Sequence, residues 1–360
     1  MLEAERKAAA GSVRDDRRLT LQQYLVDWLK DKAKNAKPTT IKDYSRHISL
    51  DICPRLGAVR LQALRTRQIS EMTRALIDEG RGTPTVRRIH ATLSSALGDA
   101  VRQELIERNP AANAWLPRQQ KTKVNPWEPD EIGMFLTSIT EDPWKPIFEL
   151  AVLTGLRRGE LLGLRWTDIK ANEGYLVVWQ QVVDLKGDVS CPVCSGSHHN
   201  LGFSTPKTAS GTARRVELGL QALELLDCHR LLQSAHISLW GSAYTEHDLV
   251  FSRDDGAPIH PERVTKRFAQ MVKNSGLRHQ RLHDLRHAHA SLLLAAGYDL
   301  AIVSKLLGHS SFSLTADTYS HLVGGVGKRA ADAVGDLIAR GPRDQSVTKM
   351  VSASGPDPPV

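Results

Sequence analysis

The feature that most constrains the fold is a proline-containing basic segment at residues 109–129, which separates two stretches of regular apolar spacing. Its prolines and basic residues are Pro110, Pro117, Arg118, Lys121, Lys123, Pro126 and Pro129. Proline lacks the backbone N–H that helices and central strands require, so the segment favours an extended linker. A chain of 360 residues can bury two separate cores. The pattern therefore predicts two domains joined by a basic linker at 117–126.

Upstream of the linker, apolar residues recur at helical spacing in four segments. The first has Thr20 as a suitable N-cap, and its apolar face comprises Leu21, Tyr24, Leu25, Trp28 and Leu29. The other three segments lie at 41–48, 70–79 and 84–101. Residues 19–116 are therefore predicted to form an all-helical domain, preceded by an N-terminal extension at 1–18.

Positive charge is concentrated in this helical region. Residues 19–120 carry 17 lysines and arginines against 10 acidic residues, whereas residues 121–327 carry 21 against 22. The two regions contribute +7 and −1 to the net charge of +8. This distribution suits a protein that binds nucleic acid, although a solvated basic surface would give the same excess of positive residues.

Downstream of the linker, helical spacing alternates with strand-like spacing. The β-branched alternation at 175–183 predicts a strand, and residues 214–218 are its predicted partner. The predicted fold is mainly α with a small antiparallel β-sheet, in which an α+β domain at 127–327 follows the all-helical domain. Residues 341–360 are polar and hold four prolines, so we expect a disordered tail.

The sequence also excludes several classes of protein. No apolar run reaches the roughly 20 residues that a membrane helix needs, and residues 1–10 lack the apolar centre of a signal peptide. We therefore expect a cytoplasmic protein with no membrane partner. In that compartment four cysteines do not indicate a disulfide framework, and Cys53 and Cys228 are expected to be single thiols.

Six side chains suited to phosphate chemistry occur in short motifs of the second domain. They are Arg157, Lys207, His283, Arg286, His309 and Tyr319. Arginine keeps its charge and donates paired hydrogen bonds to phosphate oxygens, while lysine or histidine can move protons and a tyrosine hydroxyl can attack phosphorus. Glu160 is spaced to orient Arg157 through an ion pair. The set predicts transfer of a DNA phosphodiester without metal or ATP.

Each of these residues alone has a common structural role. Arg158 competes with Arg157 for the same function, and Arg286 could instead form a surface ion pair with Asp284. The polar residues that precede Tyr319 predict that its hydroxyl stays hydrated. The combination and order of the motifs therefore carry more weight than any one residue.

These motifs resemble the tyrosine recombinase (phage integrase) family. The resemblance spans 19–327 and runs through the segments at 154–166, 206–208, 283–287, 306–311 and 317–322. It implies that Tyr319 forms a 3′-phosphotyrosine, and that Lys207 acts as general acid with help from His283. It also implies that Arg157, Arg286 and His309 hold the scissile phosphate.

The same resemblance implies partners and assembly. The implied substrate is double-stranded DNA attachment sites, bound by a core-binding helical domain and a catalytic domain. The implied assembly is a homotetramer, in which a helix at 328–340 docks on the next subunit. It leaves room for an accessory directionality factor and requires no cofactor.

Two features depart from the family pattern. Only 18 residues precede the first helix, too few for the additional arm-binding domain of many integrases, so we expect simple core sites or a truncated start. An insertion ahead of Lys207 contains candidate ligands for structural zinc, Cys191, Cys194, His198 and His199. The alternative is a flexible loop with incidental thiols.

Three functions fit the sequence to different degrees. The leading hypothesis is a site-specific recombinase that integrates and excises a mobile element. A type IB topoisomerase shares the chemistry, and a DNA-binding regulator built on a decayed recombinase shares the fold. The basic helical domain and the segment at 307–311 favour a recombinase, and the intact set of six residues argues against decay.

Overall fold

The structure is a computed structural model that describes residues 18–119, 125–185, 201–206, 213–308 and 312–319. It is mainly helical with small antiparallel sheets, which confirms the predicted fold class. The chain divides into two compact units, residues 1–123 with 183–203 and residues 124–182 with 204–360. The functional limits of the domains stay a prediction. The predicted helix at 328–340, the tail and the extension up to residue 17 lie outside the described residues.

The first unit is helical, as predicted. Its first helix, α1 (Leu21–Ala33), begins at Thr20, whose hydroxyl accepts a hydrogen bond from the Gln23 backbone N–H at 3.3 Å. The Gln23 side chain accepts the Thr20 N–H at 3.0 Å, which completes a capping box. The chain continues through α2 (Pro38–Arg46), a π-helical turn (His47–Ile52), α3 (Cys53–Leu56), α4 (Thr66–Asp78) and α5 (Thr83–Arg102).

One apolar core, fixed by two buried aromatic side chains, joins α1 to α5. The Tyr24 hydroxyl donates to the Ala96 carbonyl at 2.6 Å, and the Trp28 indole N–H donates to Asp99 at 2.6 Å. Burial opposes ionisation of Asp99, but its bonds to Lys32 and Trp28 outweigh burial and lower its pKa to about 2. Because both polar tips have partners, the rings can be buried without an unsatisfied donor.

The rest of the chain combines helices with two small sheets, of which the two-stranded one is divided between the two units. Its elements are α6 (Pro129–Ser138), α7 (Lys145–Thr154), α8 (Arg158–Leu162), β1 (Ile169–Lys170), β2 (Tyr175–Val178), β3 (Gln181–Asp184), β4 (Leu201–Ser204), β5 (Arg214–Glu217), α9 (Leu220–Trp240), α10 (Pro261–Asn274), α11 (Asp284–Ala295), α12 (Leu300–Leu307) and α13 (Phe312–Tyr319). Strands β1, β2 and β5 form one antiparallel sheet, and β3 pairs with β4. The predicted pairing is observed for β2, with Val178 opposite Arg214. The single strand predicted at 175–183 is divided after Val178, and its second part, β3, pairs with β4 instead.

An aromatic cluster fixes α6, α7 and α10 against one another. The rings of Trp127 and Phe135 lie 4.9 Å apart, and Phe268 lies 5.3 Å from both Phe135 and Phe148. The Trp127 indole N–H donates to the Arg278 carbonyl at 3.2 Å. This packing positions α7, and the carboxyl end of that helix leads into the candidate site. Across the described ranges no helix is long and apolar enough to cross a membrane.

The first prediction concerns Gly155, which ends α7 with a left-handed φ of 61°. A Cβ atom there would lie 2.6 Å from the His289 ring, whereas Gly276, with a φ of 70°, has open space around the same position. We expect Gly276→Ala to lower the free energy of unfolding by about 1 kcal/mol, from backbone strain alone. Gly155→Ala adds a steric clash and should lower it by about 2–4 kcal/mol. Urea denaturation measures the free energy of unfolding of both variants. Equal losses of stability in the two would contradict the close contact between Gly155 and His289.

Candidate active site

Arg157 is positioned by the short connection between α7 and α8. It is the N-cap residue of α8, and its guanidinium donates to Glu160 Oε1 at 2.7 Å. The other carboxylate oxygen of Glu160 accepts the Arg157 backbone N–H at 3.0 Å. The predicted ion pair is therefore present, and it also caps the helix. Arg158 instead donates to Thr265 at 2.6 Å and is exposed.

Arg286 is a buried cation on α11, with 3% of its surface exposed. Its guanidinium donates to the Gly155 carbonyl at 2.6 Å and to the Leu307 carbonyl. Burial, reinforced by the nearby Arg157, lowers its pKa to about 9, so that it remains charged at neutral pH. Asp284 pairs with Arg281 at 2.9 Å, so the alternative of an Arg286–Asp284 pair is not observed.

A third arginine, Arg214, supports this arrangement and was not identified from the sequence. It lies on an inward-facing position of β5 and donates to Glu160 Oε2 at 2.9 Å. Burial alone would raise the pKa of Glu160, but Arg214 and then Arg157 more than offset this effect, and the pKa lies below its usual value. Glu160 is therefore ionised and shared by two guanidinium groups.

The three arginines meet at the carboxyl end of α12. They donate to three successive backbone carbonyls: Arg214 to Leu306 at 2.7 Å, Arg286 to Leu307, and Arg157 to Gly308 at 3.1 Å. The last carbonyls of a helix have no helical partner and lie at the negative end of its dipole, so they attract cations. Gly308 ends the helix with a left-handed φ of 64°. A guanidinium has five donors, which is more than these bonds use.

Tyr319 is enclosed at the end of α13, with 1% of its surface exposed. Its ring packs against Ala290, Val303 and Leu307. The expectation of a hydrated hydroxyl is therefore wrong, because α13 turns this ring onto α11 and α12 whatever the polarity of its sequence neighbours. Burial raises the pKa of Tyr319 above its ordinary value.

The Tyr319 hydroxyl lies 2.5 Å from Nδ1 of His287, a second residue that sequence reasoning missed. Burial, followed by the neighbouring His283, lowers the pKa of His287 to about 4. The imidazole is thus neutral at pH 7 and its Nδ1 can accept the phenolic hydrogen bond. The ring of His283 lies 5.2 Å from that of His287, edge to face.

The described residues bring five of the seven predicted site residues into one cluster: Arg157, Glu160, His283, Arg286 and Tyr319. The other two, Lys207 and His309, lie outside the described residues, as do the zinc candidates Cys191, Cys194, His198 and His199. Within the part of the chain that the structure describes, no group of three or more His, Cys, Asp or Glu residues could hold a metal ion. Two features of the sequence could have identified Arg214 and His287. Arg214 lies two residues before Val216, on the same face of the strand, and His287 is the second histidine of the H-D-L-R-H motif.

Comparison with known proteins identifies relatives over most of the chain. Residues 136–323 match the model of the phage integrase family, and residues 20–77 match that of the phage integrase N-terminal SAM-like domain. The chain is 30% identical over 280 residues to the ICEBs1 integrase of Bacillus subtilis, covering 77% of this chain and 72% of that protein. It is 26% identical to a XerC-like tyrosine recombinase of Caldanaerobacter subterraneus, covering 89% and 84%.

The fold is also similar to solved integrase structures. A Tn1549 transposon integrase in complex with a circular intermediate DNA aligns with a TM-score of 0.73 and 18% identity, covering 88% of this chain and 99% of that one. A lambda integrase dimer bound to a core site aligns with a TM-score of 0.61 and 22% identity, covering 83% and 95%. These similarities concern the fold.

The second prediction tests the buried pair of Arg214 and Glu160. We expect Arg214→Gln to lower the free energy of unfolding by about 3–5 kcal/mol, because it removes one of the two guanidinium partners of the buried Glu160 carboxylate. Arg215→Gln is the matched control, since Arg215 is the next residue on β5, is exposed and pairs with the exposed Glu217. Its urea midpoint should match that of the wild type. Equal midpoints for the two variants would contradict a structural role of Arg214.

Proposed function

Because the chain belongs to the phage integrase family of tyrosine recombinases, we propose that it cleaves and rejoins DNA at specific sites through a 3′-phosphotyrosine intermediate. The biological outcome that we propose is integration and excision of a mobile element. The relatives include integrases of an integrative element and of a transposon, which supports this outcome.

One observation carries the catalytic part of the proposal. Arg157 and Arg286 come from different helices, yet they donate to the carbonyls of the adjacent residues Gly308 and Leu307. The charge of Arg157 adds to burial in lowering the pKa of Arg286, and the charge of Arg286 opposes the burial that raises the pKa of Tyr319. Two fixed cations beside one hydroxyl group provide what in-line attack on a phosphodiester requires.

We assign the steps to residues as follows. Arg157, Arg286 and His309 hold the non-bridging oxygens, and Glu160 orients Arg157. The Tyr319 oxygen forms a bond to phosphorus while the bond from phosphorus to the 5′ oxygen breaks. Lys207, assisted by His283, gives a proton to the departing 5′ oxygen. Rejoining reverses these steps, and the phosphotyrosine conserves the ester energy, so neither metal nor ATP is required.

The substrate that we propose is a pair of double-stranded DNA attachment sites in the cytoplasm. The helical domain at 19–116 and the linker at 117–126 would grip the duplex, and the domain at 127–327 would carry out the chemistry. We further propose a homotetramer in the recombining complex, with the helix at 328–340 docking on the next subunit and an accessory directionality factor acting on the assembly. Structures of integrases on DNA in dimeric and tetrameric form support this organisation.

The third prediction tests the nucleophile. The substrate is a nicked suicide duplex that carries the core repeated at both ends of the protein's element. We expect the wild type to form a covalent protein–DNA adduct and Tyr319→Phe to form none. Tyr298→Phe is the matched control, because Tyr298 precedes α12 and is exposed, and it should retain full adduct formation. An adduct that survives in Tyr319→Phe would reject the assignment, as would no adduct in the wild type.

The fourth prediction concerns the basic helical domain. Displacement of counterions by lysines and arginines makes the logarithm of the binding constant fall linearly with the logarithm of salt concentration. With six or more phosphate contacts, affinity should fall by about 10³-fold or more between about 50 and 200 mM salt. Fluorescence anisotropy with the full chain measures this slope. A decrease of less than about tenfold would contradict a polyanion-binding surface.

A further inference from the structure

The contact between Tyr319 and His287 suggests a role that the phosphate-binding residues do not fill. A buried tyrosine hydroxyl needs a hydrogen-bond partner, and most acceptors in a protein are backbone carbonyls. Here the partner is an imidazole nitrogen, His287 Nδ1, at 2.5 Å, which accepts the hydroxyl proton when the ring carries its own proton on Nε2. A carbonyl oxygen can hold a phenol but cannot take its proton at neutral pH, whereas a neutral imidazole can do both.

We propose that His287 is the general base that accepts the proton of Tyr319 during DNA cleavage. The inference rests on the proposed function and adds a catalytic residue to it. As the Tyr319 oxygen bonds to phosphorus, its proton moves to Nδ1 of His287, while the 5′ oxygen leaves with a proton from Lys207. In rejoining, His287 returns its proton to Tyr319 and Lys207 recovers the proton of the 5′ hydroxyl, so atoms and charges balance in both directions.

The environment of Tyr319 makes a base necessary. Burial raises its pKa, so the hydroxyl keeps its proton at neutral pH, and a neutral phenol is a weak nucleophile. Attack therefore requires an acceptor that is already in contact with the hydroxyl. In the proposed mechanism Lys207 gives its proton to the leaving oxygen, so a different group must accept the proton of Tyr319.

The groups that face His287 suit a base rather than a permanent cation. On its own helix and the turn before it lie His283, Asp284, Arg286 and Arg281, and Tyr319 faces it from α13. Burial and the surrounding cations keep the imidazole neutral before reaction. When His287 accepts the proton, the imidazole becomes positively charged. Negative charge develops on the oxygens of the phosphorane in the same step, so the two charges stabilise each other.

The test compares two substitutions of His287 in the full chain. Glutamine can accept the hydrogen bond of Tyr319 through its amide oxygen but cannot take the proton, whereas alanine can do neither. We expect His287→Gln and His287→Ala to slow adduct formation on the suicide duplex by about 10²- to 10⁴-fold, the usual range for loss of a general base. His229→Gln is the control, because it replaces an enclosed imidazole that contacts the Val250 carbonyl at 2.7 Å, away from the site.

A second measurement separates a base from a residue that only holds Tyr319 in place. Replacing Tyr319 by 3,5-difluorotyrosine lowers the phenol pKa, so the attack depends less on a base. We expect this change to raise the rate of adduct formation by His287→Gln at least tenfold and to alter the rate of the wild type by no more than about threefold. The inference would be overturned if His287→Gln cleaved DNA at the wild-type rate. It would also be overturned if fluorination did not reduce the difference in rate between His287→Gln and the wild type. Absence of any Tyr319-dependent adduct in the wild type would instead remove the proposed function itself.

Discussion

The candidate active site depends on three arginines that bind the carboxyl end of one short helix. They come from the connection between α7 and α8, from β5 and from α11, and all three donate to the end of α12. Helix-terminal carbonyls lack partners within the helix, so they accept side-chain donors without disturbing helical hydrogen bonds. Because these carbonyls belong to successive residues, the guanidinium groups are brought close together despite their mutual repulsion. The geometry of the arginine cluster thus follows from where α12 ends.

Glu160 offsets the electrostatic repulsion among these arginines. One of its oxygens accepts the Arg157 guanidinium, and the other accepts both the Arg157 backbone N–H and Arg214. The same carboxylate therefore caps α8, orients one arginine and neutralises another. A buried carboxylate with several charged donors is stable only when all of them are present, which explains why a residue as remote as Arg214 belongs to the site.

Local features of the fold and site could be predicted from the sequence, and features of packing could not. The Thr20 cap and the ion pair of Arg157 with Glu160 follow from spacing within a segment, and β2 and β5 follow from their strand-like residues. The contact of Arg214 with Leu306 joins residues 92 positions apart, and neither residue type signals it. The burial of Tyr319 likewise depends on how α13 packs, which the polarity of its neighbours does not determine. The resemblance to a family supplied the nucleophile, but the acceptor of its hydrogen bond became visible only in three dimensions.

The unequal numbers of positive and negative groups around Glu160 have a thermodynamic consequence. Two guanidinium groups bond to this one carboxylate, and Arg286 adds a third positive charge nearby without bonding to it. Because Arg214 and Arg286 are buried, the excess positive charge is poorly solvated. An oxyanion that enters there relieves the strain and stabilises the native state in proportion to its occupancy. Anion binding and the stability of the folded state are therefore coupled, and even sulfate ions should raise the melting temperature.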